Sequence, residues 1–175
     1  MLGGSPSDLL LPRNFLIVEG PSEVEFLTRV IKRHYSNECQ IQIISAEGDT
    51  DQTERTINSI EKAFSPLNKS LYRDKIQILC DKPSLKREGG VKDFLSRFSD
   101  LTKNKQIVFL PFGSLEECYP NHLDWKRTDI QVSSMTGKQK RQLAKRIGNE
   151  ISKEQFEQEM SVIFGILKTT WTNAF

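Results

Sequence analysis

The chain is poor in the residues that usually hold transition metals. Its 175 residues include two histidines, His34 and His122, and three cysteines, Cys39, Cys80 and Cys118. The cysteines are odd in number and widely spaced, so they form neither a zinc-ligand pattern nor an evident disulfide framework and read as reduced thiols. Cys80, inside an apolar run, reads as a small buried residue. Long hydrophobic runs are missing too: stretches such as Ile107 to Phe112 fall far short of a membrane span, and the N-terminus lacks the basic and apolar regions of a signal peptide. A cytoplasmic location is the default expectation. The net charge of +2 is too small to indicate a nucleic-acid ligand by itself. Any metal site here must rest on carboxylates.

What is present is enough for one core. A chain with 37% hydrophobic and 27% charged residues fits a single domain with some appended helix. Residues 1–14 are expected to be a leader or the remnant of a preceding domain, because Leu9 to Leu11 need something to pack on. Residues 15–18 form a short continuous apolar run, the pattern of a strand buried on both faces of a parallel sheet. A helix follows, with Ser22 and Glu25 as an expected capping box and Val24, Leu27 and Ile31 at helical spacing. The alternation repeats: strand 41–48, helix 49–64, strand 75–81, helix 89–98, strand 106–112. Strands alternating with helices call for a parallel α/β sheet with right-handed crossovers.

Beyond that point only helices are expected. Residues 136–150 carry Leu143 and Ile147 on one face. Residues 152–171 open with a capping box, Ser152 with Gln155, and place Phe156, Met160, Ile163, Leu167 and Trp171 on one stripe. The organisation expected is therefore an α/β domain over 15–125 and a helical C-terminal extension over 126–175.

In an open α/β sheet, ligands bind at the carboxyl ends of the strands. The first strand runs into Glu19, the third ends on Asp81, and the fourth leads into PFGSLEECYP, which delivers Glu116 and Glu117. Glu23, four residues after Glu19, could point into the same crevice. Carboxylates gathered without histidine or thiolate suit magnesium or manganese, and two such ions can clamp the attacking and leaving oxygens of a phosphodiester displacement. Each acid also has a plainer reading. Glu25 suits a helix cap, Glu23 a first-turn acid favoured by the helix dipole, and Asp81 a turn before Pro83. One of Glu116 and Glu117 suits the surface.

The motif FLIVEGPSEVEFL, with a strand running into a glutamate and glycine and a second acid four residues on, resembles the opening of Toprim domains, whose third strand ends in an aspartate, here Asp81. VEGPSEVEFL together with FGSLEECYP is more closely similar to the Toprim nuclease domain of the OLD family (overcoming lysogenization defect), over residues 7 to about 120. The resemblance implies a Toprim-like (Rossmann-like), mainly parallel sheet of about four strands flanked by helices. It implies Glu19 as metal ligand or general base, and Glu23 and Asp81 as metal ligands. It also implies an ABC-type ATPase domain preceding this one, and leaves a homodimer through the full-length protein open. Pro83 stands where the second aspartate of the family's DxD pair belongs. A second metal would therefore be held by Glu116 or Glu117, by Ser84, by water, or not at all. The family also uses a lysine beyond the last motif to offset charge at the phosphate, and Lys138 is the candidate, with Lys140 behind it.

The segment from Lys126 to Arg146 holds Lys126, Arg127, Lys138, Lys140, Arg141, Lys145 and Arg146 against one acid, Asp129. Lys138, Arg141 and Lys145 fall on one stripe that could track a phosphate backbone, though a solvated helix face looks the same. Aromatics are not interleaved with these charges in the manner of a single-strand stacking platform. The expectation is a Mg²⁺- or Mn²⁺-dependent DNA endonuclease or nickase, with a role in phage defence suggested by the family alone. The alternative is a degenerate module that binds or regulates without cleaving, which Pro83 favours. Primase or topoisomerase chemistry is weaker, since no template-binding module or tyrosine-bearing domain is visible.

Overall fold

The structure, a computed structural model, describes residues 14–38, 41–46, 54, 75–83 and 88–172. Four strands, β1 (Asn14–Val18), β2 (Ile41–Ser45), β3 (Ile76–Cys80) and β4 (Ile107–Phe109), form one sheet in the order β2-β1-β3-β4. Every pairing is parallel, with Val18 opposite Ser45 on one side and Leu79 on the other, and Cys80 opposite Phe109. The two central strands are buried at every position, the polar Asn14 and Gln77 included, as strands covered on both faces are. The chain is thus α/β with a four-stranded, all-parallel sheet flanked by helices. The helix expected over 49–64, the end of the second strand at 47–48, Cys39 and Ser84 lie outside the described residues.

The strand period of two divides the sheet into two cores. Phe15, Ile17, Ile76, Ile78 and Cys80 face one side, where α2 (Glu88–Arg97) and α3 (Ser99–Lys103) contribute Phe94, Phe98 and Leu101. Leu16, Val18 and Leu79 face the other side and join a larger cluster. That cluster draws on α1 (Pro21–His34), on α4 (Leu115–Cys118) and α6 (Gly137–Glu150), which α5 (Asp129–Ser134) separates in the chain, and on α7 (Lys153–Glu159) and α8 (Ser161–Thr172). The helices expected as a C-terminal extension are therefore cover for the sheet: α8 lies against β1 and β3, and α6 packs along α1. At that crossing a Cβ on Gly148 would stand 3.0 Å from Arg29 Cβ and 3.1 Å from the Phe26 carbonyl oxygen, so the approach needs a residue without a side chain. Arg33 Nη1 donates to the carbonyls of Gly148 and Ile151 at 3.0 Å each, which satisfies the end of α6.

Two local expectations need correcting. The first helix begins at Pro21 with Gly20 as its N-cap, and no side chain caps it. Proline is preorganised for the first helical position, so the start falls ahead of Ser22. The Ser22 hydroxyl instead donates to Glu23 Oε2 at 3.3 Å, and Glu25 pairs with Arg29 at 2.6 Å. The stripe expected on one helix over 152–171 is shared by two helices that break at Met160, where φ is −110° and ψ 37°. No proline or glycine stands at the break, so packing over the sheet overrides local propensity. All five stripe residues are still buried in one cluster. The Ser152 capping box forms as expected, and Thr128 and Thr136 build two more. Among the described residues no helix is long and apolar enough to cross a membrane.

Candidate functional site

The strand order reverses between β1 and β3: the chain leaves β1 toward β2 on one side and returns to β3 on the other. Such a switch point opens a crevice at the carboxyl ends of the two strands. Glu19 follows the last residue of β1 and Asp81 the last residue of β3. Hydrogen bonds carry the β3–β4 pairing past both strand ends, from Leu110 N to Cys80 O at 2.8 Å and from Lys82 N to Phe112 O at 3.2 Å. The loop after β4 is thereby held beside Asp81, and the one-turn α4 that follows turns Glu116 inward.

Glu23 arrives from the other direction, in the first turn of α1. A Cβ on residue 20 would lie 3.0 Å from Glu23 Oε2. Glycine at the N-cap thus leaves room for that carboxyl group to fold back toward the strand end. Glu23 is 6% exposed and Glu116 2% exposed, and Glu116 Oε1 has no hydrogen-bond partner. A buried carboxylate oxygen without a donor is costly unless something else supplies positive charge.

The electrostatics tie these residues into one group. Burial, reinforced by the charges of Glu23, Glu19 and Glu116, pushes Asp81 up to about 9, while Lys140 pulls it the other way. Burial also raises Glu23, with Glu116 adding to the rise; its backbone and Ser22 hydrogen bonds and Lys140 oppose it. The neighbouring Tyr119 hydroxyl, buried and without a partner, is raised by burial and by Glu116 and Glu23. Four carboxyl groups from three separate stretches of sequence therefore interact at the strand ends, with the Lys140 ammonium opposing them at Asp81 and Glu23. Asp81 holds its proton at neutral pH in the absence of further positive charge.

The expected site residues divide as follows. Glu19, Glu23, Asp81 and Glu116 come together. Glu117 does not join them: its Oε1 accepts from Ser114 Oγ at 3.2 Å, and its charge falls on Cys118. Lys138 is exposed at the start of α6, and Lys140, half-buried, is the cation that reaches Asp81 and Glu23. Arg141 and Lys145 are exposed on the same helix. Arg127 hydrogen-bonds through its backbone N–H to the Glu116 carbonyl at 3.0 Å, and Asp124 binds Arg146 at 2.7 Å. Lys126 stands over the ring of Phe112 at 4.9 Å. Among the described residues no three His, Cys, Asp or Glu side chains are close enough to enclose a metal ion as they stand.

Sequence reasoning missed Tyr119 and underrated Lys140. Tyr119 stands within FGSLEECYP, directly after the short α4 that carries it toward the acids. The helical phase of Lys140 could have shown it nearer the buried stripe than Lys138. No family model, curated protein or solved structure matches the chain.

Proposed function

We propose that this chain is a Toprim-type, metal-dependent nuclease domain of the OLD kind, hydrolysing DNA phosphodiester bonds as an endonuclease or nickase. The observation that carries the reading is the gathering of the buried Glu23 and Glu116 with the half-buried Glu19 and Asp81 at the switch point of a parallel sheet, with Lys140 facing Asp81 and Glu23. Neighbouring acids whose charges raise the proton affinity of Asp81 and Glu23 suit a hard divalent cation, and Glu116 Oε1 is an oxygen already stripped of water without a donor. Glu23, Asp81 and Glu116 would hold Mg²⁺ or Mn²⁺, which when bound supplies Lewis-acid stabilisation of the phosphate oxygens. The carboxylates would have to draw inward to do so, and Asp81 would have to release its proton.

The remaining roles belong to the chain's own side chains. Glu19 orients the attacking water and accepts its proton. Lys140 offsets negative charge that builds on the phosphate. The exposed Lys138, Arg141 and Lys145 would bind the phosphate backbone on either side. An ATPase partner domain and a role in phage defence rest on the family resemblance alone.

A second reading, a degenerate module that binds without cleaving, is favoured by Pro83 in the place of an acid and by the lack of a ready three-ligand group among the described residues. Isothermal titration with Mn²⁺ beside a plasmid-nicking assay separates the two. The nuclease reading expects metal binding that disappears in Asp81→Ala and nicking that disappears in both Glu19→Ala and Asp81→Ala. Metal-independent DNA binding without nicking would favour the degenerate module.

A further inference from the structure

Phe112 is 44% exposed, an unusual position for a large aromatic ring. Its backbone is fixed to the site, because its carbonyl accepts from the N–H of Lys82, the residue after Asp81. The ammonium of Lys126 stands 4.9 Å above the ring centroid. The half-buried Cys118 hydrogen-bonds the Phe112 backbone and feels the charges of both Asp81 and Lys126. An exposed aromatic face, a cation and the acid pocket therefore adjoin at the carboxyl edge of the sheet. The segment that follows carries two further large apolar side chains in water, Leu123 at 80% and Ile130 at 82% exposure. Leu123 has a φ of 50°, a left-handed conformation that a leucine rarely adopts.

We propose that Phe112 is a stacking platform for an unpaired nucleobase next to the scissile phosphate, with Lys126 engaging the adjoining phosphate, so that the preferred substrate is single-stranded or locally unpaired DNA. The proposal rests on the nuclease reading and adds its substrate class. Every base offers a π face, so such a platform is indifferent to sequence. Continuous duplex keeps its bases inside the stack and presents none to the ring. The cation over the ring is the second half of the pattern: the exposed ammonium covers one face, so a base would stack on the other, with the flexible lysine within reach of the adjoining phosphate. Lys126 lies far from Phe112 in sequence, so this pairing of ring and charge exists only in the fold.

The test is fluorescence anisotropy in EDTA at low salt, using a labelled oligothymidylate and a blunt duplex of the same length. Phe112→Ala is expected to weaken single-strand binding about tenfold and duplex binding by less than about twofold. Lys126→Ala should weaken both. Phe112→Trp should keep the affinity, with tryptophan emission quenched on adding the oligonucleotide beyond any change in the parent protein. Single-strand affinity unchanged in Phe112→Ala, equal losses on both DNAs, or no DNA binding by the parent protein would overturn the proposal. Should Phe112→Ala unfold, Phe112→Trp decides, and absent quenching overturns it. No metal or cleavage enters the assay. Nicking without this single-strand preference defeats the stacking proposal alone, and the preference without nicking defeats the nuclease reading.

Discussion

The carboxylate of Glu116 raises the proton affinity of Glu23, although one sits in the first turn of α1 and the other in the short helix after β4. Both are buried, and both face Asp81. A fold gains nothing in stability from such a group. Burial and neighbouring charge favour the neutral forms of Asp81 and Glu23, and it is the backbone that brings the acids together. A stability cost at a concave strand end is what a functional site leaves behind.

Asp81 makes that cost measurable. The folded protein holds the Asp81 proton up to about pH 9, whereas the ordinary value is 3.8. Stability is therefore greatest below the ordinary value and declines as pH rises toward about 9. Asp81→Asn, which keeps the shape and removes the titration, should raise the melting temperature of the metal-free protein, by a few degrees at pH 8 and little at pH 5. Thermal melts at the two pH values read this directly. An Asn variant less stable than the parent at pH 8 would contradict it.

Metal binding should release protons, because a cation must displace the one on Asp81. Affinity for Mn²⁺ is expected to rise by up to about tenfold per pH unit between pH 6 and 8. Titration calorimetry in buffers of different ionisation enthalpy counts the protons. In Asp81→Asn the pH dependence should flatten and the affinity fall.

The two lysines should behave differently. Lys140→Met removes a cation that lowers both Asp81 and Glu23. It should reduce metal-dependent cleavage on the order of a hundredfold, by analogy with loss of a preorganised charge stabiliser, and shift the pH dependence of metal binding upward. Lys138→Met, on the exposed side of α6, should change cleavage modestly and chiefly through DNA affinity at higher salt. Cleavage rates and a salt series for both variants distinguish them.

Gly148 tests the packing that sets α6, and with it Lys140, against α1. A methyl group there meets the Arg29 side chain and the Phe26 carbonyl at about 3 Å. Gly148→Ala should cost roughly 1–3 kcal/mol, since the backbone oxygen cannot move aside as a flexible side chain can. Denaturant melts give the value, and a neutral or stabilising result would mean that the helices separate freely.

Much of this fold is visible in the sequence wherever burial is dictated by one strong pattern. The apolar run at 15–18 and the largely apolar 76–80 read as central strands, and the Leu143, Ile147 and Phe156 stripes were bound to face a core. The acids Glu19 and Asp81 are legible for the same reason, as polar residues placed where an apolar strand stops. Harder to read were features set by competing local chemistry. Pro21 takes the helix start that Ser22 and Glu25 seemed to claim, and packing splits the last long helix at Met160. The choice between Glu116 and Glu117, and between Lys138 and Lys140, depends on helical phase relative to a pocket that only the tertiary structure defines. The same holds for Phe112 and Lys126, whose meeting no spacing rule foretells.

Cleavage of supercoiled plasmid with Mg²⁺ or Mn²⁺, beside Glu19→Ala, Asp81→Ala and an EDTA control, tests the central claim most directly. Metal-dependent nicking by the parent protein, abolished by either substitution and by EDTA, is the predicted result. Plasmid left intact under both metals, with no metal binding that Asp81→Ala removes, would contradict it.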